Sequence, residues 1–364
     1  MVSRTVIAAA LFLMFGSYVS TADRGRSVED IVARHIEALG GRTNIDKIKS
    51  TVVHAEYREG SFVMPGAYMA KMLPYYRTIC DPNQPPGDVC EGYDGSAWEY
   101  YKDPGVVLRT VSAAAAATRH GLDLFDSLVD YQAHGTKVVL TGEEMFHGKA
   151  AFKLHVTLAD GFEKEMFVDK DSFLVIGDRR AAPVHAFGEE VRSENEIGDY
   201  RQVDGVMFPF LYKEVEIANG KEMNRLTIQS MEVNARFTAA SFAPPQLIRT
   251  PFQQFLENLY FQRTDPISVL WTYREFRAAH PDLDTRDGVE FIGYQMAKMK
   301  DFNGAVALLT ANAADYPKSA SAQYGLGRAY KAAGDADHAR AAFQRALELD
   351  PGFKKASEGL QALR

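Results

Sequence analysis

Hydrophobic positions change period more than once along this chain. From Ser27 to Leu39 (SVEDIVARHIEAL) they recur at helical spacing, with Val28, Ile31, Val32, His35, Ile36 and Leu39 on one stripe and Gly40-Gly41 ending it. Ser27 is placed to cap this helix, with Asp30 as the acidic partner three residues on. From there to about Phe242 the period is two. Phe152, Leu154, Val156 and Leu158 alternate with Lys153, His155 and Thr157. Turn signals at His147-Gly148, Asp160-Gly161, Asp169-Lys170-Asp171 and Asp204-Gly205 separate short strands, among them Glu163–Val168 and Phe173–Gly177. Asn219-Gly220, between Lys213–Ala218 and Lys221–Met231, predicts a type I′ hairpin. The result is an antiparallel meander, which must bury one face against helices or by curling on itself.

One stretch breaks the β pattern. Thr110 to Tyr131 holds five alanines (Ala113–Ala117) followed by Leu122, Leu124, Phe125, Leu128 and Val129. Alanine is the best helix former, and Gly121 divides the stretch into two predicted helices. They are either a plain connection or a cover over the concave face of the sheet.

Beyond Phe242-Ala243-Pro244-Pro245 the period becomes helical for good, with Pro266 and Pro281 as punctuation. With Ala320 as position 1, seven of eight signature positions match one tetratricopeptide (TPR) repeat: Leu326, Gly327, Tyr330, Ala339, Phe343, Ala346 and Pro351. Gln323 stands at the remaining, aromatic position. The small residues let two antiparallel helices approach, and Leu326, Tyr330 and Phe343 fill the gap. A weaker copy lies one repeat earlier, with Gly293, Ala305 and Pro317 in register and Ile292 and Leu309 as conservative replacements. Phe353–Leu363 reads as a capping helix, and Trp271–Phe276 as a helical segment packed on the stack. A TPR is a binding scaffold for a protein or peptide and contributes no catalytic group.

Length and composition fit this division. The 364 residues and 46% apolar content suffice for two packed domains, and a net charge of −7 argues against nucleic acid as a partner. Residues 1–22 read as a Sec-type signal peptide: Arg4, an apolar run from Val6 to Val19, and a cleavage site near Thr21 or Ala22. The expected location is periplasmic or secreted, an uncleaved membrane anchor being the other reading. In an exported chain Cys80 and Cys90 either pair around Pro82, Pro85, Pro86 and Gly87 or stay as free thiols. Glu257–Gln262 reads ENLYFQ, the core of a widely engineered protease site, yet Phe252, Phe255, Leu256, Leu259 and Tyr260 also make it an ordinary amphipathic helix.

Catalytic arrangements are not apparent. The chain lacks H-E-x-x-H, G-x-S-x-G, S-x-x-K and a P-loop. Its histidines are scattered, His147 before a turn glycine and His155 on a polar strand face. Glu189, Glu190, Glu194, Glu196 and Asp199 form an acidic patch without calcium-loop spacing. Neither a metal nor a cofactor is expected. The informative residues are apolar: Tyr57, Phe62, Met64, Tyr68, Met69, Met72, Tyr75 and Tyr76, then Trp98, Tyr100 and Tyr101. They either fill the core or line an adaptable apolar site. The candidate ligand-binding set is Phe62, Met64, Tyr68, Trp98, Tyr100, Phe125 and Leu128.

Several segments together resemble the outer-membrane lipoprotein-sorting-like domains of the LolA/LolB superfamily. They are the helix ending in Leu39-Gly40-Gly41, F-x-M-P-G at Phe62–Gly66, Gly92–Trp98, D-Y-R-x-V-D-G-V-x-F-P-F at Asp199–Phe210 and the stop at Phe242–Pro245. The resemblance covers roughly residues 27–246. It implies an α+β fold, a half-open antiparallel β-barrel whose helices plug an apolar cavity for acyl chains. No residue here matches the functional arginine of the true carriers, so none is carried over. The expected organisation is a signal peptide (1–22), the β domain (27–246), a helical linker (247–284) and TPR repeats with a capping helix (285–364). The expected function is a non-enzymatic periplasmic binding protein. A lipid or lipoprotein acyl chain occupies the cavity, a protein or peptide occupies the TPR, and the protein associates peripherally with membranes. One alternative is a TPR scaffold with no small ligand. Another is a hydrolase-associated protein, since the stretch from Tyr273-Arg274-Glu275-Phe276 through the repeats also resembles the TPR tails of secreted bacterial hydrolases.

Overall fold

The computed structural model describes residues 26–74, 76–81, 87, 89–183 and 190–363. The expected signal peptide, Tyr75, Pro82, Pro85, Pro86 and Glu189 lie outside these residues. Helix α1 (Val28–Ala38) begins as expected, with the Ser27 hydroxyl accepting from the Asp30 N–H at 3.2 Å. It ends at Gly40, whose φ of 118° suits glycine and whose Cα packs against the Gly205 carbonyl, where a Cβ would collide. Helix α2 (Arg42–Ile45) follows.

The next strands are β1 (Ser50–Glu59), β2 (Phe62–Met72), β3 (Tyr76–Thr78), β4 (Val89–Tyr93), β5 (Ala97–Tyr101) and β6 (Val106–Arg109), then helix α3 (Ser112–His120). After it come β7 (Lys137–Phe146), β8 (Lys149–Thr157), β9 (Glu163–Asp169), β10 (Val175–Pro183), β11 (Glu190–Val203), β12 (Val206–Glu216) and β13 (Glu222–Val233). All belong to one open antiparallel sheet ordered β6-β5-β4-β3-β2-β1-β13-β12-β11-β10-β9-β8-β7. Two meanders, β1–β6 and β7–β13, are therefore joined by the pairing of the first strand with the last. The sheet does not close, which leaves β6 and β7 as edges.

Turn chemistry explains the registers. His147-Gly148 (φ 47° and 80°) and Asp204-Gly205 (φ 50° and 84°) are two-residue connections with positive φ at both positions, the type I′ signature. Asn219-Gly220 differs from expectation. Only Gly220 has positive φ, and Glu216 pairs with Lys221, so Ile217–Gly220 form a longer loop. The register shift between Glu214 and Val215 accompanies it.

The second helix expected after Gly121 does not form. Residues 122–126 are irregular and 127–135 run as successive turns, held by Asp126, whose Oδ1 accepts from the Leu128 N–H at 3.0 Å. Short acidic side chains compete with helical backbone bonds in this way. The segment still covers the sheet: Leu122, Leu128 and Val129 are buried.

The C-terminal part comprises α4 (Pro251–Phe261), α5 (Pro266–Ala279), α6 (Arg286–Lys298), α7 (Phe302–Asp315), α8 (Ala320–Ala332), α9 (Ala336–Leu349) and α10 (Lys354–Gln361). The starts of α4, α6, α8 and α10 recur about every 34 residues, the TPR period. The segment expected as a linker is thus a helical pair stacked on α6 and α7, sharing their core through Phe255, Leu256, Val269 and Tyr273. The ENLYFQ stretch forms the second half of α4 and its C-cap, Gln262. Leu259 and Tyr260 are buried, and Glu257 accepts from the Val107 N–H at 3.1 Å. In the repeat itself Gly327 lies against the Phe343 ring, while Ala339, Phe343 and Ala346 are buried.

Candidate functional site

Directly opposed residues share a sheet face, so the register assigns every side chain to a side. The concave face meets α1, α2 and residues 122–131 through two apolar clusters. One joins Ile31 and Val32 to Leu128, Leu154, Met166 and Val175. The other joins Leu39, Ile45 and Ile48 to Phe208, Phe210 and Ile228, with Phe125 packed against it. The convex face is covered by residues 235–247. There Trp98 donates its indole N–H to the Phe242 carbonyl at 2.9 Å, and packs with Cys90 and Tyr100. Cys80 and Cys90 form a disulfide beside it.

This geometry divides the candidate ligand-binding residues. Tyr68, Trp98 and Tyr100 lie on the convex side, Tyr68 packing with the Val52–Ala70–Phe242 cluster. Phe125 and Leu128 lie on the concave side beneath the cover. Met64 is opposite Tyr57 and Phe62 opposite Glu59, which puts both on the concave side near its open rim, 43% and 53% exposed. The seven residues therefore do not line one cavity.

A strap crosses the concave face. It starts with α3 over β4 and β5, then Gly121 passes the Arg77 guanidinium, and the Lys71 ammonium donates to the Asp123 carbonyl at 2.9 Å. At the far side His120 meets Asp160 at 2.8 Å and lies tilted against Phe162 at 4.4 Å between ring centroids. Beside the strap is a cavity of about 320 Å³. It is lined by apolar Ile45, Ile48, Leu73, Leu124, Phe125 and Val129 and by charged or titratable Arg42, Asp46, Lys49, Asp123, Asp126, Asp130 and His134. Arg42 bridges Asp46 at 2.8 Å and Asp130 at 2.6 Å, tying α2 to the strap.

The strap is anchored by a buried pair. His35, fully buried on α1, contacts the Phe173 carbonyl through Nδ1 and the Asp126 carboxylate through Nε2, both at 2.8 Å. A carbonyl only accepts, so Nδ1 carries a proton, and the ion pair with Asp126 protonates Nε2 as well. Burial alone would push the imidazole pKa down; the charge and hydrogen bond of Asp126, with the Phe173 carbonyl, outweigh it and leave it raised. Burial would raise Asp126, but His35 holds it below the usual carboxylate range. Burial also pushes Lys71 down to about 8, assisted by Arg77, and raises Asp123.

A polar row on the lower concave face was missed in the sequence. Lys164 opposes Arg180, Asp178 opposes Asn195, and Asn195 opposes Glu214. Arg180 bonds Asp178 and Glu214, each at 3.2 Å. Ser193 and Asn224 also donate to Glu214, at 2.6 and 2.7 Å. The signal was present as phase: Lys164 alternates in step with buried Met166 and Val168, and Tyr212 and Glu214 with buried Val206, Phe208 and Phe210. The acidic patch, by contrast, is a solvated strand, with Glu194 paired to Arg179 and His147, Glu196 to Lys213 and Asp199 to Arg201. Among the described residues no group of three or more His, Cys, Asp and Glu could hold a metal ion, and no helix is long and apolar enough to cross a membrane.

No curated protein matches the chain. Among solved structures it is similar to a DUF1329 family protein from Desulfovibrio piger, at 15% identity and a TM-score of 0.43, over 60% of this chain and 98% of that one. It is also similar to a LolA superfamily protein from Nitrosomonas europaea, at 11% identity and a TM-score of 0.41, over 60% of this chain and 99% of that one. An O-GlcNAc transferase from Thermobaculum terrenum is similar over 32% of this chain and 23% of its own, at 23% identity and a TM-score of 0.23. The tetratricopeptide repeat family model matches residues 320–353. Those residues are a tetratricopeptide repeat, carried by a chain whose sheet domain has LolA-superfamily structures among its fold neighbours.

Proposed function

We propose that this is an exported, non-enzymatic binding protein that holds an acyl or other apolar chain in its sheet domain and a polypeptide on its TPR tail. The observation that carries the reading is the strapped concave face. It has a cavity of about 320 Å³ beside the strap, lined by apolar and charged residues together, and Phe62 and Met64 are exposed at the rim of the face. That volume lies at the lower end of the range for small-molecule sites, about 300–1,000 Å³. Each buried methylene contributes about 0.8 kcal/mol before ordering costs, so one short chain suffices for measurable affinity. Protein from an exporting host should carry co-extracted lipid, seen by mass spectrometry of the organic extract, and the emptied protein should bind a fluorescent fatty acid. Protein that is lipid-free on isolation and indifferent to the probe would defeat the reading.

The tail supports the second half. On α6 and α8, Tyr294 and Tyr324 flank Arg328, whose guanidinium lies 3.8 Å from the Tyr294 ring centroid. Glu290 stands beside Gly325, and burial pushes its carboxyl up to about 7. An aromatic, charged surface of this kind suits an extended peptide. Replacing Tyr294 and Arg328 by alanine should abolish capture of a peptide partner while leaving acyl binding intact.

A further inference from the structure

We infer that the sheet domain and the tail build one peptide site between them, in which Tyr101 of β5, Tyr294 and Lys298 of α6, and Tyr324 and Arg328 of α8 hold an extended acidic segment of a partner protein. The inference rests on the polypeptide reading of the tail above, and adds the strand that shares the site and the charge of the partner. The tail already holds one extended chain, strand β6 of the sheet. Gln253 donates to the Pro104 carbonyl at 3.1 Å, Glu257 accepts from the Val107 N–H at 3.1 Å, and the Tyr260 hydroxyl donates to the Arg109 carbonyl at 2.9 Å. Tyr260, Tyr294 and Arg328 stand one repeat apart on α4, α6 and α8. Equivalent positions of a solenoid line the same groove. The residue that meets a backbone carbonyl on α4 is thus followed by two more donors. Neither the Tyr294 hydroxyl nor the Arg328 guanidinium makes a hydrogen bond or ion pair among the described residues, and neither is sealed from solvent.

Direct contacts join these donors to the sheet. Tyr101 packs edge-on against Phe291, at 4.9 Å between ring centroids. The Lys298 ammonium lies 5.9 Å from the Tyr101 ring centroid and 4.7 Å from that of Tyr294. Arg328 follows, 3.8 Å from the Tyr294 centroid and 5.6 Å from that of Tyr324. All five side chains are half-buried, so the row is surface and not core. Rings alternate with cations along it, which offers flat contact area and N–H donors together. The charge that selects is that of Arg328. Burial pushes Lys298 down and Glu99 up, the Glu99 carboxylate accepting from the Tyr101 hydroxyl, whereas a guanidinium stays protonated. Glu290, beside Gly325, forms no ion pair with Arg328, and burial pushes its carboxyl up to about 7. A guanidinium fork without a carboxylate matches one supplied by a partner. The net charge of −7 gives an acidic peptide no general attraction to the chain, so a preference for one is local to this row.

The test uses the full-length protein and three fluorescein-labelled synthetic peptides, in which threonine alternates with glutamate, glutamine or lysine, read by fluorescence anisotropy at about 0.15 M salt. The glutamate peptide should bind at least about tenfold tighter than the glutamine peptide, the scale of a hydrogen bond to a charged group, and the lysine peptide should bind weakest. Arg328→Gln should erase that preference, and Arg328→Lys should keep part of it. Tyr101→Ala, on the sheet, should weaken the glutamate peptide by about threefold, the scale of one lost cation–ring contact. Should Tyr101→Ala not fold, cross-linking to the wild type decides. A benzoylphenylalanine at the centre of the glutamate peptide should label residues 101–105 as well as α6 and α8. Labelling of the tail alone overturns the shared site. Equal binding of the three peptides overturns the acidic selection and leaves the polypeptide reading standing. No binding of any of them overturns that reading and the inference with it.

Discussion

Replacing His35 by leucine tests how the strap is held. Leucine is close in volume but removes both N–H donors, leaving the Phe173 carbonyl and the Asp126 carboxylate without their 2.8 Å partners. Breaking a buried ion pair from one side costs about 3–5 kcal/mol. Asp126 is one-fifth exposed, which places the expected loss near the lower end, about 3 kcal/mol. With a urea m-value of about 3 kcal/mol/M for a domain of this size, the midpoint should fall by roughly 1 M. Trp98, buried in the sheet, supplies the fluorescence signal. His35→Leu/Asp126→Asn removes the stranded charge and keeps an acceptor for the Leu128 N–H, so it should recover much of the loss. The pH dependence follows from the two shifts. The raised His35 pKa contributes stability that is full below about 6.5 and fades as pH rises through the folded value. The lowered Asp126 pKa contributes stability that is full above about 3.9 and fades as pH falls through its folded value. The gap between wild type and His35→Leu should therefore be widest between those limits and narrower at pH 9. An unchanged midpoint in His35→Leu, or a gap that widens from pH 6 to 9, would refute the ion-pair assignment.

Three further substitutions probe other parts of the molecule. Leu128→Ala, at a fully buried position under the strap, should lower stability by about 3 kcal/mol in urea titrations. Cys80→Ser opens a disulfide spanning a sequence separation of 10 and should cost about 2–3 kcal/mol, with dithiothreitol reproducing the loss in wild type. Gly327→Ala forces a methyl group against the buried Phe343 ring and should lower the melting of the helical circular dichroism signal, by about 1–3 kcal/mol, with little effect on Trp98 emission.

The periodicities carried most of the architecture. Alternation and turn residues located the strands, and small-residue spacing located the repeat. What they could not carry was the side of the sheet. Trp98, Tyr100 and Tyr68 looked like companions of Phe125 and Leu128, yet the register puts Trp98 opposite Gly92 and Tyr68 opposite His54, on the side away from the strap, while the bulge near Ala55 lets Met64, opposite Tyr57, fall on the strap's side. The Thr110–Tyr131 stretch looked helical throughout because alanine and leucine dominate its propensity. Asp126 overrode that preference by satisfying a local N–H and reaching His35, a partner 91 positions away. Lys164 was invisible for a related reason: a single lysine in an apolar phase has meaning only once Arg180 is known to oppose it.

The junction between the two halves resolves a weakness in each. An open sheet exposes unpaired edges, and a stack as short as two repeats is marginal. The β7 edge is blunted by charge and by the irregularity at Gly142. The β6 edge is covered by α4 instead. Val107 gives its N–H to Glu257, the Arg109 carbonyl accepts from Tyr260 at 2.9 Å, and the Pro104 carbonyl accepts from Gln253 at 3.1 Å. Val106 and Leu108 are buried in the same cluster as Leu256, Ile292 and Leu309. The α4–α5 pair thus lengthens the solenoid by one step, and the sheet edge packs beside it on α4 and, through Tyr101 and Phe291, on α6. It follows that the halves are not freely separable. A chain ending at Gln246 should expose Val106 and Leu108 and aggregate, while a chain beginning at Ile248 should lose helicity at lower temperature than the intact protein. If size-exclusion chromatography shows the shortened sheet domain monomeric and the isolated tail melts with the intact protein, the edge contact is dispensable and this account of the junction fails.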